Sequence, residues 1–486
     1  MFFVGLDIGT SGVRGILVDQ AGAVVAEADA PLDTKHPYAG WSEQDPESWI
    51  TACDQVLRGL RAANAAAFEV VKGIGLSGHM HGATLVGEDG KALRPCILWN
   101  DTRSAPQATA LDANPVMRAA SANIVFPGFT APKLAWVAEH EPEVFSKVAK
   151  VLLPKDYVRL WLTGDYISDM SDSAGTSWLD VGARAWSDAA LDASGMRRDQ
   201  MPDLVEGSAP GGMLRETLAK DWGLGGSVVV AGSAADNAAA ACGIGCLNEG
   251  AGFVSLGTSG VLLAARDGFA PAPETAVHTF CHAVPDRWYQ MGVILSATDS
   301  LNWLARNTGE QPAALANALP DRIDGPSSTL FLPYLSGERT PHNDAAIRGA
   351  FLGLDIATDR AALTRAVMEG VGFALRDSHA ALAQTGADLK TVFAVGGGAR
   401  SKFWLETLAT LLDLPLSVPA AGELGAAMGA ARLAICAATG AAPDEVITPP
   451  AVASVIDPRS DLTAAYDAAY ARYRAAYPAI SSISSS

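Results

Sequence analysis

Phe2-Phe3-Val4-Gly5-Leu6-Asp7-Ile8-Gly9-Thr10-Ser11-Gly12-Val13-Arg14-Gly15-Ile16-Leu17-Val18-Asp19 is the stretch whose reading decides the fold. An apolar run carries one acid, Asp7, near its end. Gly9 to Gly12 forms a tight turn, and Gly15 to Asp19 returns as a second strand. Ala21-Gly22 turns the chain again, and Val24-Val25-Ala26 begins a third strand. Short apolar runs punctuated by glycine turns predict a β-meander. Outward from it, Pro46 to Ala67 has helical spacing of Trp49, Ile50, Val56, Leu57 and Leu60, with proline at a favoured first position. Val70 to Leu76 is strand-like again. The alternation predicts an α/β architecture.

The first turn has an echo. Gly9-Thr10-Ser11-Gly12-Val13 recurs as Gly257-Thr258-Ser259-Gly260-Val261, and both copies follow a short apolar strand. Duplication is the better reading, with one hairpin in each of two related halves and a boundary near Gly245 to Gly250. We therefore expect domains at 1–247 and 248–486; 486 residues exceed what one ordinary core holds. In the second half, Val392 to Val395 reads as a strand entering Gly396-Gly397-Gly398, and Phe403 to Leu412 as a helix. Gly425 to Ala438 is a small-residue helix, which implies close packing. The Tyr and Ala repeats after Ala464 read as a docking helix, and Ser481 to Ser486 as a frayed tail.

Composition excludes several classes. The net charge of -18, from 35 basic and 53 acidic residues, argues against nucleic-acid binding. No apolar run is long enough to span a membrane, and the first residues lack the basic region of a signal peptide, so cytoplasm is the expectation. The six cysteines are scattered among apolar or small residues and read as buried thiols.

No G-x-x-x-x-G-K-[ST] is present. A G-x-G-x-x-G at Gly73, Gly75 and Gly78 does not open a clear helix, which argues against a dinucleotide fold. His79 and His81 lack a third ligand at metal spacing. Asp7 followed by a Gly/Ser/Thr turn suits phosphate oxygens at Thr10 and Ser11, and its carboxylate suits a hydrated Mg²⁺. Arg14 is placed to meet the γ-phosphate; the plain alternative is a capped hairpin. The second turn, with Gly257 and Thr258, lacks the acid. Between the turns, Val228 to Ala239 runs from a buried strand through Ser233-Ala234-Ala235 to Asp236-Asn237 at a helix start, where Asp236 alone would read as an N-cap.

Together these segments resemble the FGGY carbohydrate kinases of the actin-like ATPase superfamily, nearly end to end. Gly128-Phe129-Thr130-Ala131-Pro132-Lys133-Leu134-Ala135-Trp136 is similar to the family's first signature. Gly349 to Leu354 begins a stretch similar to the second, which departs at Ala362. Gly78 to Thr84, Leu98-Trp99-Asn100-Asp101, Leu153 to Tyr157 and Pro333 to Pro341 resemble its xylulokinase branch; glycerol kinases carry Arg-Glu where Met80-His81 stands. The resemblance implies two actin-like ATPase (ribonuclease H-like) α/β domains around a central catalytic cleft, with ATP, Mg²⁺ and a small sugar as ligands. It implies Asp236 as general base, Asp7 at the Mg²⁺ and substrate, Met80, His81 and Asn237 at the sugar, Gly257 and Thr258 at phosphate, and Gly397, Gly398 and Ser401 at adenosine. A homodimer is compatible with the sequence.

Some readings stay open. Asp101 and Arg103 either touch substrate or pair in a loop, and Glu338 with Arg339 either line the active site or domain junction or form a structural ion pair. Lys133 and Trp136 read as fold-holding. Many relatives have glycine where Ala235 stands; a left-handed backbone there would cost about 1 kcal/mol. The rivals are a kinase for another sugar or polyol (ribulose, fuculose, gluconate), a nucleotide-gated binding protein and a non-catalytic sugar sensor.

Overall fold

The computed structural model describes residues 1–420 and 425–484. The opening meander forms as β1 (Phe2–Ile8), β2 (Gly12–Asp19) and β3 (Val24–Pro31), each antiparallel to the next. Helix α1 (Pro46–Ala63) follows, with Asp45 accepting from the Glu47 amide as its N-cap. It ends before Ala67 because the Asn64 side chain caps a separate short helix, Ala65–Glu69. β4 (Val71–Gly78) then lies parallel to β1. Helix α2 (Pro154–Thr163) precedes β5 (Pro210–Met213) and β6 (Val229–Ala231), and β6 is parallel to β4. The two-residue β7 (Ala234–Ala235) also pairs with β4 and leads into helix α3 (Asp236–Gly243).

The second sheet contains β8 (Ala251–Leu256), β9 (Gly260–Arg266), β10 (His278–Cys281), β11 (Trp288–Ile294), β12 (Thr391–Val395), β13 (Leu416–Pro419) and β14 (Val452–Ile456). Its inner order β11-β9-β8-β12-β13 repeats the order β3-β2-β1-β4-β6 of the first sheet. The strand senses also match: antiparallel, antiparallel, parallel, parallel. Two copies of one sheet topology are the arrangement of the actin-like ATPases. The two hairpins differ in one respect. Ile8 pairs with Val13, leaving four residues in the first turn, whereas Leu256 pairs with Gly260, leaving three in the second.

Helix α4 (Gly425–Thr439) comes from the second half of the chain but seats on the first sheet. A Cβ on Gly5 or Gly75 would collide with the carbonyl oxygen of Ala427 or Ala430, and Gly429 lies equally close to Ala239 of α3. This explains the G-x-G-x-x-G stretch: Gly73 and Gly75 clear room for a helix. One continuous apolar cluster runs from Ala231–Leu247 into Phe253, Phe280 and Tyr289, so the halves share a core. Helix α5 (Thr463–Ser484) docks through buried Tyr466 and Tyr473. It stays helical through Ser484 instead of fraying, with Tyr477 and Ser481 hydroxyls donating to Asp344; the last two residues lie outside the described ones. All six cysteines are buried and unpaired. Among the described residues no helix is long and apolar enough to cross a membrane.

Candidate active site

Asp236 is held by the way its strand is bent. β6 breaks at Gly232-Ser233, where Ser233 adopts φ 72°, and resumes as β7 beside Ser77 and Gly78. The left-handed residue is thus Ser233. Ala235, at φ -57° and ψ 153°, is unstrained, so the expected cost of alanine there does not arise. The Ser233 hydroxyl donates to the Ala231 carbonyl and accepts from the Leu76 amide. Arg159 of α2 clamps the bend from behind, donating to the Ala231 and Gly232 carbonyls at 2.6 Å each and to Gly211 at 3.2 Å. The Ala235 amide donates to Ser171 Oγ, which itself donates to Asp169. Asp169 belongs to a wholly buried ion cluster in which Lys155 Nζ lies 2.6 Å from Asp156, 2.7 Å from Asp169 and 3.2 Å from Asp172. Burial pushes the Asp172 carboxyl well above the usual range.

Asp236 opens α3. Its carboxyl pKa is pushed up to about 7, first by burial and then by the negative charge of Asp7. The Asn237 backbone N–H at 2.7 Å and side-chain N–H at 3.0 Å only partly offset this. Asp7 is also raised by burial, against the pull of Ser77 and Arg14, its cross-strand neighbours on β4 and β2. Two carboxyls both raised by burial, one of them further by the charge of the other, suit a bound cation. The Arg14 guanidinium lies 2.7 Å from Glu27 and 3.9 Å from Asp29, so part of its charge is directed along the sheet.

Met80 and His81 follow β4. His81 adopts φ 69°, and its carbonyl accepts from Lys133 Nζ at 2.8 Å and Thr130 Oγ1 at 3.2 Å, which fixes this conformation. Lys133 therefore holds the site's backbone, as its sequence context suggested; burial pushes its pKa down to about 7. The His81 ring stacks on Phe129 with centroids 4.5 Å apart, and its Nδ1 lies 2.7 Å from the Gly175 carbonyl. Burial lowers its pKa to about 3, so the ring is neutral. With Nδ1 donating to Gly175, Nε2 is left as an acceptor for a hydroxyl. Tyr289 of β11 reaches the Met80 sulfur at 3.9 Å, so the second half contributes a wall. Neither Gly175 nor Tyr289 carried a sequence signal; Phe129 lay inside a quoted motif but went unassigned.

The two turns are anchored through their carbonyls. Thr10 accepts from Gln44, Ser11 from Leu32, Thr258 from Ala297 and Gly257 from Thr298. Among the described residues no protein group accepts from the amides of Thr10, Ser11, Thr258 or Ser259, the groups a phosphate would take. Trp99 donates to Thr10 Oγ1 at 3.1 Å and ties the loop before Asp101 to the first turn. A cavity of about 440 Å³ runs from Asp7 past Ser255 to Gly396. Another, of about 460 Å³, is lined by Gly397, Gly398 and Ser401 together with Thr298, Asn302 and Asn317, which sequence reading missed. Asp101 is placed differently from Met80 and His81. Buried to 1% exposure, it spends both oxygens on Arg103 and the Ser42 amide, while Arg103 stacks on Trp41.

Comparison with known proteins agrees with this geometry. The N-terminal domain model of the FGGY family of carbohydrate kinases matches residues 2–243, and the C-terminal one matches residues 252–438. The chain is 48% identical over 438 residues to the xylulose kinase of Escherichia coli strain K12, covering 90% of both chains. A solved xyloylose kinase from Brucella ovis superposes with TM-score 0.98 at 56% identity, covering 99% of this chain and all of that one. A xylulose kinase from Rhodospirillum rubrum gives 0.91 at 28% identity over the whole of both. Two matched sheets, two glycine turns and a bent strand carrying Asp236 agree with these matches: the chain belongs to the FGGY family of carbohydrate kinases and is an ATP-using carbohydrate kinase.

Proposed function

We propose that the chain transfers the γ-phosphoryl group of ATP to the terminal hydroxyl of D-xylulose, giving ADP and D-xylulose 5-phosphate, with Asp236 as the general base. The observation that carries the substrate is the 48% identity to a xylulose kinase across 90% of both chains. The site supports it: the neutral His81 offers an acceptor to a sugar hydroxyl beside Met80. Asp236 takes the proton as the sugar oxygen attacks phosphorus, the bond to the β–γ bridging oxygen breaks, and ADP departs with that electron pair. A pKa of about 7 suits this role, because the group is available as a base near neutrality and is readily reprotonated. Asp7 is the residue that would hold Mg²⁺, which when bound supplies neutralisation of phosphate charge.

The units 1–247 and 248–486 are proposed to bind sugar and nucleotide respectively. The amides of the two turns would hold the phosphates, and the cavity at Gly397, Gly398 and Ser401 the adenosine. Asp101 serves by fixing the Trp99 loop. Acidic composition and unpaired thiols fit a cytoplasmic enzyme. The test is ADP release with Mg-ATP against D-xylulose, D-ribulose, L-ribulose, L-fuculose, gluconate and glycerol, for wild type and Asp236→Asn. Preference for D-xylulose, lost in the folded variant, is expected. Preference for another substrate overturns the sugar assignment.

A further inference from the structure

Arg339 stands out among the cations of the second half. It follows Glu338, yet the two do not form the ion pair that their adjacency suggested. Glu338 Oε1 instead accepts from the backbone amides of Arg339 at 2.8 Å and Leu295 at 3.1 Å. Among the described residues no acid lies within ion-pair distance of the Arg339 guanidinium. It lies 4.6 Å over the Phe126 ring and 3.5 Å from His278 Nε2. The loop that carries it is rigid. The Thr340 amide donates to Val293, the Thr340 hydroxyl donates to Ala276 and accepts from Val293, and the Glu338 amide donates to Asp344.

The surroundings point toward the sugar site. Phe126 packs edge-on against Phe129, and Phe129 stacks on His81, so one aromatic layer links Arg339 to the sugar-facing histidine. His278 is buried to 1%, and its Nδ1 has no partner. The Arg339 charge helps keep both His81 and His278 neutral, whereas the charge acting on Asp236 is that of Asp7. Arg339 is thus tied through Phe126 and Phe129 to the His81 ring. The Arg339 guanidinium is half-buried and feels the charge of Glu338 without a direct ion pair, and its planar fork of donors is completed best by ligand oxygens.

We propose that Arg339 is a substrate-binding, specificity-determining residue. Its guanidinium, backed by Phe126 and His278, takes the oxygens on carbons 1 and 2 of the ketose, opposite the hydroxyl that Asp236 deprotonates. The proposal rests on the ketopentose reading above. It makes the sugar a bridge between the halves, with Met80 and His81 on one side and Arg339 on the other.

The test is a cycle of enzyme and substrate changes. Steady-state kinetics at saturating Mg-ATP are measured for wild type, Arg339→Met and Arg339→Lys. The substrates are D-xylulose, 1-deoxy-D-xylulose, which lacks the oxygen on carbon 1, and xylitol, which carries an alcohol for the ketone. In Arg339→Met, kcat/KM for D-xylulose is expected to fall about 30-fold or more, mainly through KM, with KM for ATP held within about twofold. The preference for D-xylulose over at least one probe is expected to shrink about fivefold or more. A purely structural arginine would lower activity on all three sugars alike. Unchanged preferences for both probes, or an unchanged KM for D-xylulose, overturn the proposal. If thermal melts show Arg339→Met unfolded, Arg339→Lys carries the same comparison, since it keeps the charge but not the fork. If wild type ignores D-xylulose, the substrate assignment falls, and the same variants on the preferred sugar and its deoxy analogue decide Arg339 separately.

Discussion

Asp236 is chemically uncomfortable where it stands. The carboxyl is half-buried and feels the charge of Asp7, so it holds its proton to about pH 7, against an ordinary value of 3.8. Two outcomes follow. The acid limb of kcat/KM is expected to rise with pH through about 7, as the base loses its proton, and Asp236→Asn should lower kcat by about 10²–10⁴-fold. Stability should move the other way. Because the folded pKa is raised, the folded state binds more protons than the unfolded chain between pH 4 and 7. Wild-type stability therefore declines as pH climbs through that window, and the neutral amide escapes the decline. Urea unfolding should show Asp236→Asn more stable than wild type at pH 8 by about 1–2 kcal/mol, with the gap closing toward pH 4. The place of Asp236 at a helix start was legible from its strand-turn-helix setting, whereas its role as base came only from the family resemblance. The backbone that holds it was not: alanine and serine carry no mark of left-handed geometry, so the strain expected at Ala235 belongs to Ser233.

Elements meet here with unusual closeness, and glycine marks where. The small-residue run at Gly425 to Ala438 predicted tight packing, but a helix's own pattern does not name its partner. The partner proved to be the sheet built from the start of the chain, whose Gly73 and Gly75 resembled a nucleotide fingerprint instead. Gly75→Ala should force α4 away from β4 at the Ala430 carbonyl. Thermal and denaturant melts should register a loss of about 1–3 kcal/mol. The α2 helix offers a second case. Arg159→Met removes its donors from three carbonyls, of which Ala231 keeps the Ser233 hydroxyl, and leaves the Lys155 acids short of a positive charge. A loss of about 3–5 kcal/mol is expected in denaturant unfolding, with lower kcat in whatever folds. Lys155-Asp156 was visible in the sequence only as a branch motif. Its role depends on Asp169 and Asp172, whose approach no local pattern encodes.

At the scale of the whole molecule, the halves are duplicated but not independent. The meander, the echo at Gly257 and the glycine turn at Gly396 were legible because hairpins and strand ends write themselves locally. The crossing of α4 onto the first sheet and the apolar cluster shared by Ala231, Phe253 and Tyr289 are long-range facts. Residues 1–247 expressed alone should therefore expose the α4 seat, bind a hydrophobic dye and aggregate; co-expression with 248–486 should restore a soluble complex. A soluble, cooperatively melting fragment would contradict this shared core. The hairpins carry a last consequence. Two turns alike in length and in the residues before them would offer a phosphate chain nothing to tell one from the other. One turn is a residue shorter than the other, and the place of Asp7 is taken by Ser255 in the second strand. If the turns hold the phosphates as proposed, that inequality gives the cradle a head and a tail that a phosphate chain can tell apart.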